Sequence, residues 1–388
     1  MTSQNLKPGW KIIHFGDIGE NVSVRVEPSE AQTEVYVGLE HLDPETLHLR
    51  KWGHPSDVTG QKLAFKKGDV IFGRRRAYQR KLVVAEFDGI CSAHAMVVRA
   101  KPEMILPEFL PFFLQSDMFM ERAIEISVGS LSPTINWKTL RVQEFPLPPI
   151  EEQKRIAEIL WAADEVLEGW IESQIRTEAA LKAFRYNLFQ RLSRSEKRVS
   201  IKDAGRWLSG GTPPRSRTEY WGGDFPWVSP KDMKVDIISD AEEKLTEAAL
   251  LESVTTLQPD SILIVVRGMI LAHTFPVALT GKEVTFNQDM KGLVPNSDFL
   301  PRFIFHWFKA NSAQILSAIE ESTHGTKRLA TDLLYKMQIP KPSRMRQEEA
   351  LKALEAFSTQ LDHVSEHIRE SKRLCRILRN QMVVSSRV

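Results

Sequence analysis

The sequence predicts an α+β protein made of two tandem globules, each followed by a long helix. Three observations carry this. The first is an internal duplication, which fixes an architecture before any local pattern does. Phe145-Pro146-Leu147-Pro148-Pro149-Ile150-Glu151-Glu152-Gln153 returns in skeleton as Ile339-Pro340-Lys341-Pro342-Ser343-Arg344-Met345-Arg346-Gln347. Leu106-Pro107-Glu108-Phe109 returns as Leu300-Pro301-Arg302-Phe303, and in both cases the offset is 194 residues in a chain of 388. The second is a pair of matched heptad seams. The third is the short-strand texture of everything between them. A chain with two similar halves suits a target with two similar halves, such as duplex DNA.

The first globule, residues 1–149, is broken by Gly and Pro into brief β-branched runs such as Glu34-Val-Tyr-Val-Gly38, Asp69-Val-Ile-Phe-Gly73 and Ala95-Met-Val-Val98. These read as strands, and a short helical stretch follows Pro107. The first long helix, residues 150–195, opens on Pro146-Leu-Pro-Pro149 with Glu151 and Glu152 in its first turn, where negative charge suits the helix dipole. Its apolar seam is Ile156, Leu160, Ala163, Leu167, Trp170, Gln174, Thr177, Leu181, Phe184, Leu188. The second globule, residues 196–342, carries strands such as Ser261-Ile-Leu-Ile-Val-Val266. The second helix, residues 343–388, repeats the seam as Ala350, Leu354, Phe357, Leu361, Val364, Ile368, Ser371, Cys375, Leu378, Met382. Sustained spacing of this kind describes a coiled coil, with a rod of about 50 Å. Two seams in one chain predict intramolecular, antiparallel pairing, which would close the duplication into a pseudo-twofold object. Gln174 and Thr177 place polar groups mid-seam, a register device in such coils.

Composition narrows the function classes. Hydrophobic residues make up 42% and charged residues 26%, with a net charge of +2, so any nucleic-acid surface must be local. No run approaches a membrane span, and the first residues do not resemble a signal peptide, so a cytoplasmic location is expected. Cys91 and Cys375 are too few for a disulfide framework or a zinc site. There is no phosphate-binding Gly-x-x-x-x-Gly-Lys-Ser/Thr loop, no dinucleotide or S-adenosylmethionine turn, no base-methylation tetrad and no His/Cys cluster of metal spacing. Pro259-Asp260 begins like a nuclease motif, but no Glu-x-Lys follows. The expectation is a binder without a catalytic residue, a metal or a cofactor of its own.

Two basic loops are the candidate binding elements. Gly73-Arg74-Arg75-Arg76-Ala77-Tyr78-Gln79-Arg80-Lys81 holds five cations and one aromatic, without an acid, directly after a strand. Arginine forks suit phosphates and guanine edges; Arg74, Arg75, Arg76, Tyr78, Arg80 and Lys81 are the candidates, Arg76 foremost as a base reader. Gly210-Gly211-Thr212-Pro213-Pro214-Arg215-Ser216-Arg217 offers close backbone approach together with Thr212, Arg215 and Arg217. Ser229, Lys231, Asp232 and Lys234 follow, with Asp232 a possible acceptor from cytosine. Arg267 should emerge at a strand end. His324-Gly325-Thr326-Lys327-Arg328 matches the loop Gly129-Ser130-Leu131-Ser132 of the first half, and Lys327 is its candidate. Asn287-Gln288-Asp289 reads equally as an adenine reader or a turn.

These residues carry a family resemblance. Pro146-Leu-Pro-Pro-Ile-Glu-Glu-Gln-Lys-Arg-Ile156-Ala, opening a long helix, resembles the hallmark of specificity subunits of Type I restriction–modification systems. Gly211-Thr-Pro213 with Trp227-Val-Ser-Pro-Lys-Asp232 is similar to the opening of one of their target recognition domains. Tyr36-Val-Gly-Leu-Glu-His-Leu42, Gly68-Asp-Val-Ile-Phe-Gly73 and Arg76-Ala-Tyr78 are similar to another type. The resemblance implies two target recognition domains, each reading one half of an asymmetric, split DNA site in a phage-defence system. It implies that the helices space the halves and dock methyltransferase subunits, usually two, through which motor-nuclease (restriction) subunits join. S-adenosylmethionine, ATP and Mg²⁺ would then belong to those partners. Glu151, Gln153, Arg155 and Gln347 are the expected partner contacts at the helix roots. The second root departs from the pattern, having lost the Pro-Ile-Glu-Glu of the first. The competing reading is a coiled-coil scaffold without sequence-selective DNA binding.

Overall fold

A computed structural model describes residues 6–251, 254–321 and 325–384. The chain divides into two compact units: residues 1–172 with 364–388, and residues 173–363. Each unit therefore contains one globule, half of the first long helix (Ile150–Ser195) and half of the second (Arg344–Val384).

In the first unit a four-stranded antiparallel sheet runs in the order Gly19–Val22, Met96–Ala100, Val70–Phe72, Leu82–Val84. A second sheet runs Arg25–Val26, Lys62–Phe65, Gly89–Cys91, Tyr36–Val37, the last pair parallel. Val70, Ile71 and Phe72 are all buried because the strand is covered on both faces. One face meets a phenylalanine cluster in which Phe15, Phe113, Phe119 and Phe145 pack, mostly tilted or edge-on, at centroid distances of 5.2 to 6.5 Å. Such pairs contribute about 0.5–1.5 kcal/mol each beyond area burial. Ile156, Ala157, Leu160 and Val383 belong to the same core, so the long helices are structural walls of the globule and not appendages.

The second unit repeats this plan. Its main sheet runs Gly205–Ser209, Met290–Pro295, Ile262–Val265, Val277–Thr280, with Ile237–Ile238 added as a parallel edge. The companion sheet runs Glu243–Leu245, Trp221–Val228, Val284–Phe286, Thr256–Leu257. Leu181, Phe189, Leu192, Ala350, Leu351 and Leu354 join its core from the helices. A two-stranded root closes each globule: Lys11–His14 pairs with Glu144–Leu147, and Arg198–Ser200 with Gln338–Pro340. Ile12 faces Pro146 and Arg198 faces Pro340. The segment between these partners is thus longer in the second globule, and the 194-residue offset holds only toward each globule's C-terminal end.

The helices run antiparallel within each unit. In the first, the Cys375 thiol lies 3.6 Å from the Ala163 carbonyl, and the Trp170 and His367 rings stack at 4.4 Å. In the second, the Phe184 and Phe357 rings pack at 5.3 Å and Arg346 pairs with Glu196. Every member of both seams is buried or half-buried. Thr177 returns its hydroxyl to the Ser173 carbonyl at 2.8 Å, which satisfies it within its own helix.

The helix roots hold the clearest structural duplication. Gln153 accepts from the Leu106 N–H at 2.9 Å and donates to the carbonyls of Pro148 (2.9 Å) and Met104 (3.1 Å). Gln347 accepts from the Leu300 N–H at 2.9 Å and donates to Asp298 (2.8 Å) and Pro342 (3.2 Å). Each of these partners lies 194 residues beyond its counterpart. Both amides are at most 1% exposed, so Gln153 and Gln347 are internal latches. This corrects the expectation that their side chains meet a partner. Among the described residues no helix is long and apolar enough to cross a membrane.

Candidate nucleic-acid interface

The basic loop of the first unit leaves the buried strand Val70–Phe72 and is tied down at once. Gly73 N–H donates to the Lys81 carbonyl at 2.8 Å, which closes the loop. Arg75 forms an isolated β-bridge with Thr134, the Arg76 N–H donates to the Pro133 carbonyl at 2.7 Å, and the Ile135 N–H to the Arg74 carbonyl at 3.0 Å. Arg76 is exposed and sits in the left-handed region, φ 58°, ψ 52°. A non-glycine residue held there is uncommon and concentrates at binding sites. Its Nε donates to Ser132 Oγ at 3.3 Å and Arg75 Nη2 to the same oxygen at 3.2 Å. Tyr78 follows, half exposed.

Other members of the loop serve the fold. Arg80, also left-handed at φ 51°, pairs with Asp117, and Lys81 Nζ donates to the Leu39 carbonyl at 2.9 Å. Arg74 is half-buried and donates to the Ala93 carbonyl at 3.2 Å. The loop carries no acid in sequence, yet the fold supplies one. Of the five cations Arg80 is the one whose charge is offset by an acid, and Arg76 is the most exposed of the others.

The second unit builds the same edge from different residues. Arg267 leaves the strand Ile262–Val265, is exposed, and bridges Arg328. The Gly268 N–H donates to the Lys327 carbonyl at 3.0 Å. Phe72 faces Met96 and Val265 faces Met290 in the two sheets, so Arg74 and Arg267 occupy equivalent strand exits. Sequence spacing hid this, because the offset slips by one residue between these strands. Arg328 of the same loop is exposed beside Arg267, a cation whose place the sequence pattern does not single out. Lys327 is paired with Glu321 at 2.6 Å. His324 lies outside the described residues.

The glycine loop is more committed than its composition implied. Gly210 has no room for a Cβ, which would meet the Asn287 and Phe286 carbonyls, whereas Gly211 opens on free space and its carbonyl accepts from Trp227 Nε1 at 3.0 Å. Thr212 donates to Gln288. The Arg215 guanidinium lies over Trp221, 3.7 Å from the ring centroid, and pairs bidentately with Glu243 at 2.7 and 2.9 Å. That pair raises the Arg215 pKa and lowers that of Glu243. Arg217 bonds the Tyr220 hydroxyl and lies over its ring.

Two expectations are corrected in the next turn. Asp232 accepts from Ser229 N (2.8 Å), Ser229 Oγ (2.7 Å) and Glu242 N (3.0 Å). It is a capping carboxylate with its oxygens engaged, and Ser229 is buried; neither side chain faces a base. Lys231 pairs with Glu242 at 2.9 Å, whose hydrogen bond raises its pKa, while Lys234 is exposed. Asn287 is buried and caps Asp289, so that segment is a turn. At the first helix root Glu151 and Arg155 remain exposed, and Glu152 accepts from Trp10 Nε1 at 2.9 Å.

Three donors of metal type, His48, Asp164 and Glu168, gather within 4.8 Å. Both His48 nitrogens already face carboxylates, Asp164 at 2.8 Å and Glu86 at 2.9 Å, and Arg50 holds Glu168 at 2.5 and 2.6 Å. The hydrogen bond to Asp164 leads in raising the His48 pKa to about 9. The cluster is an ion-pair latch between a loop and the helix. Cys91 is buried, which pushes its thiol up to about 12 and makes it inert.

Two globules of one plan, each with an arginine-bearing strand exit and antiparallel helices within its unit, form a distinctive arrangement. A family model described as "Type I restriction modification DNA specificity domain" matches residues 9–177 and again 196–371. The chain belongs to that family. The specificity-domain repeat thus covers both globules and most of both helices. Curated relatives include the EcoR124I/EcoR124II specificity subunit of Escherichia coli, 32% identical over 235 residues, 58% of each chain. The HindI specificity subunit of Haemophilus influenzae is 21% identical across 86% of this chain and 90% of its own. The chain thus spans just over half the length of the E. coli relative and most of the Haemophilus one. A solved structure described under complex assembly and conformational transition of the type I R-M system aligns with TM-score 0.61 at 19% identity, covering 97% of this chain and 98% of the other. The S subunit from M. genitalium aligns at 0.51 and 15% identity, covering 98% and 97%. At these identities the likeness concerns the fold of the family.

Proposed function

We propose that this chain is the non-catalytic, DNA-reading subunit of a Type I restriction–modification assembly. Each globule reads one half of an asymmetric double-stranded site, and the paired helices set the unread gap and carry two methyltransferase subunits. Restriction subunits join through those, and S-adenosylmethionine, ATP and Mg²⁺ act on the partners. The complex works in the cytoplasm.

The observation that carries the reading is the repeated strand exit. Arg74 in one unit and Arg267 in the other leave equivalent strands, Arg76 follows two residues on, and both exits are tied by backbone bonds to a second loop, with Arg76 and Arg267 exposed. Exposed guanidinium groups on a backbone held at the end of a sheet suit base edges and phosphates, and a held backbone lowers the entropy lost on contact. The surrounding loops differ between units, so the two half-sites should differ. Of the original candidates, Arg74, Arg75, Arg76, Tyr78, Gly211, Thr212, Arg215, Arg217, Lys234, Arg267 and Lys327 remain proposed DNA-facing residues. Glu151 and Arg155 remain proposed partner contacts.

The test is methylome sequencing of a host that expresses the chain with its modification partner. The reading expects a methylated motif in two unlike parts separated by a fixed gap. A continuous motif, or methylation that depends on this chain but shows no sequence preference, would exclude it.

A further inference from the structure

Beside Arg76 stands a turn whose exposure the fold does not explain. Val128 and Thr134 exchange both backbone hydrogen bonds, at 3.1 and 2.9 Å, and Gly129 takes φ +120°, open only to glycine. At the tip, Leu131 is 90% exposed, and Val128 is 68% exposed. Single exposed leucines are ordinary on protein surfaces; this one differs in being strapped. Thr134 Oγ1 bonds the Ser132 carbonyl at 3.1 Å, and Ser132 Oγ receives both Arg75 and Arg76. An apolar tip is thereby fastened to the most cationic loop of the chain. The cations choose a polyanion, and the apolar group on the major-groove edge of a polyanionic duplex is the thymine methyl. The corresponding position of the second unit, 194 residues on, is Gly325, which has no side chain to offer.

We propose that Leu131 is a specificity residue of the first unit that packs on a thymine methyl group in the major groove. The contact is private to one half-site and contributes to the asymmetry of the target. This rests on the DNA-reading function proposed above.

The experiment uses the full chain in complex with its modification partner and duplexes bearing the methylome-defined site. Each thymine of both half-sites is replaced singly by deoxyuridine, which removes only the 5-methyl group. Wild type should lose about fourfold in affinity at one thymine, the worth of one buried methyl. Leu131→Ala should bind wild-type DNA with that same loss, show no further loss at that uracil, and keep the salt slope of wild type. Uracil insensitivity throughout, or a uracil penalty undiminished in Leu131→Ala, overturns the proposal. Those outcomes leave sequence-selective binding intact, whereas a complex that binds without selectivity overturns the underlying function instead.

Discussion

The amide of Gln153 pairs with one backbone N–H and two backbone carbonyls at the helix root. Replacing it by leucine removes all three bonds made by a side chain that is itself 1% exposed. Gln153→Leu should cost about 2–4 kcal/mol, read by chemical denaturation, and Gln347→Leu should cost the same, because the partners repeat. A negligible loss at either would mean that the latch is unimportant. This role was not legible in the sequence. The repeated Gln marked a position of consequence, but a polar residue at a helix root reads equally as a surface contact, and only burial decides. Arg76 is the opposite case: its type, its loop and its exposure agree. Arg76→Ala should weaken DNA binding by the assembled complex. As a base contact it would cost about 1–3 kcal/mol and relax one position; as a phosphate contact it would lower the salt slope by about one. Unchanged affinity and slope would remove Arg76 from the interface. Asp232 and Arg215 show why composition overstates such loops. Groups that the fold brings close engage them, the Glu243 carboxylate for Arg215 and the Ser229 and Glu242 N–H groups for Asp232.

At the scale of elements, the helices were the most legible part, since heptad spacing over so many turns has few other meanings. Their antiparallel direction within each unit follows the duplication. What spacing could not give is that each helix half is also a wall of a globule, because the residues it packs against come from the Pro107 and Pro301 regions and not from a partner helix alone. The latch of His48 to Asp164 and Glu86 joins loop and helix in the first unit. Its folded-state pKa is raised from 6.5 to about 9. The stabilisation is therefore fully present below about pH 6.5 and is lost as pH rises through about 9. His48→Gln should lower stability at pH 7 and flatten the decline between pH 7 and 9, measured by denaturation midpoints. An unaltered alkaline decline in the variant would assign it to other groups.

For the molecule as a whole, the two units should respond oppositely to pH. In the second unit His306 is buried with Nδ1 unpaired, and burial first, then Arg185, pushes its pKa down to about 3. The unfolded chain binds that proton below about 6.5 while the folded one does not, so stability falls as pH drops from 6.5 toward 3. The equivalent position in the first unit is Phe112. His306→Phe should flatten the decline between pH 6.5 and 5, above the carboxylate range, in a melting series; an unchanged slope would clear His306 of the effect.

The central claim is that two separable readers are joined by a spacer. Exchanging residues 199–340 for the corresponding domain of a relative tests it most directly, with the host methylome as the readout. The account predicts that one half-site changes while the other half and the gap between them stay fixed, the half-site centres about one helical turn, roughly 10 base pairs, apart. A swap that alters both halves, or alters the gap along with the bases, would contradict it.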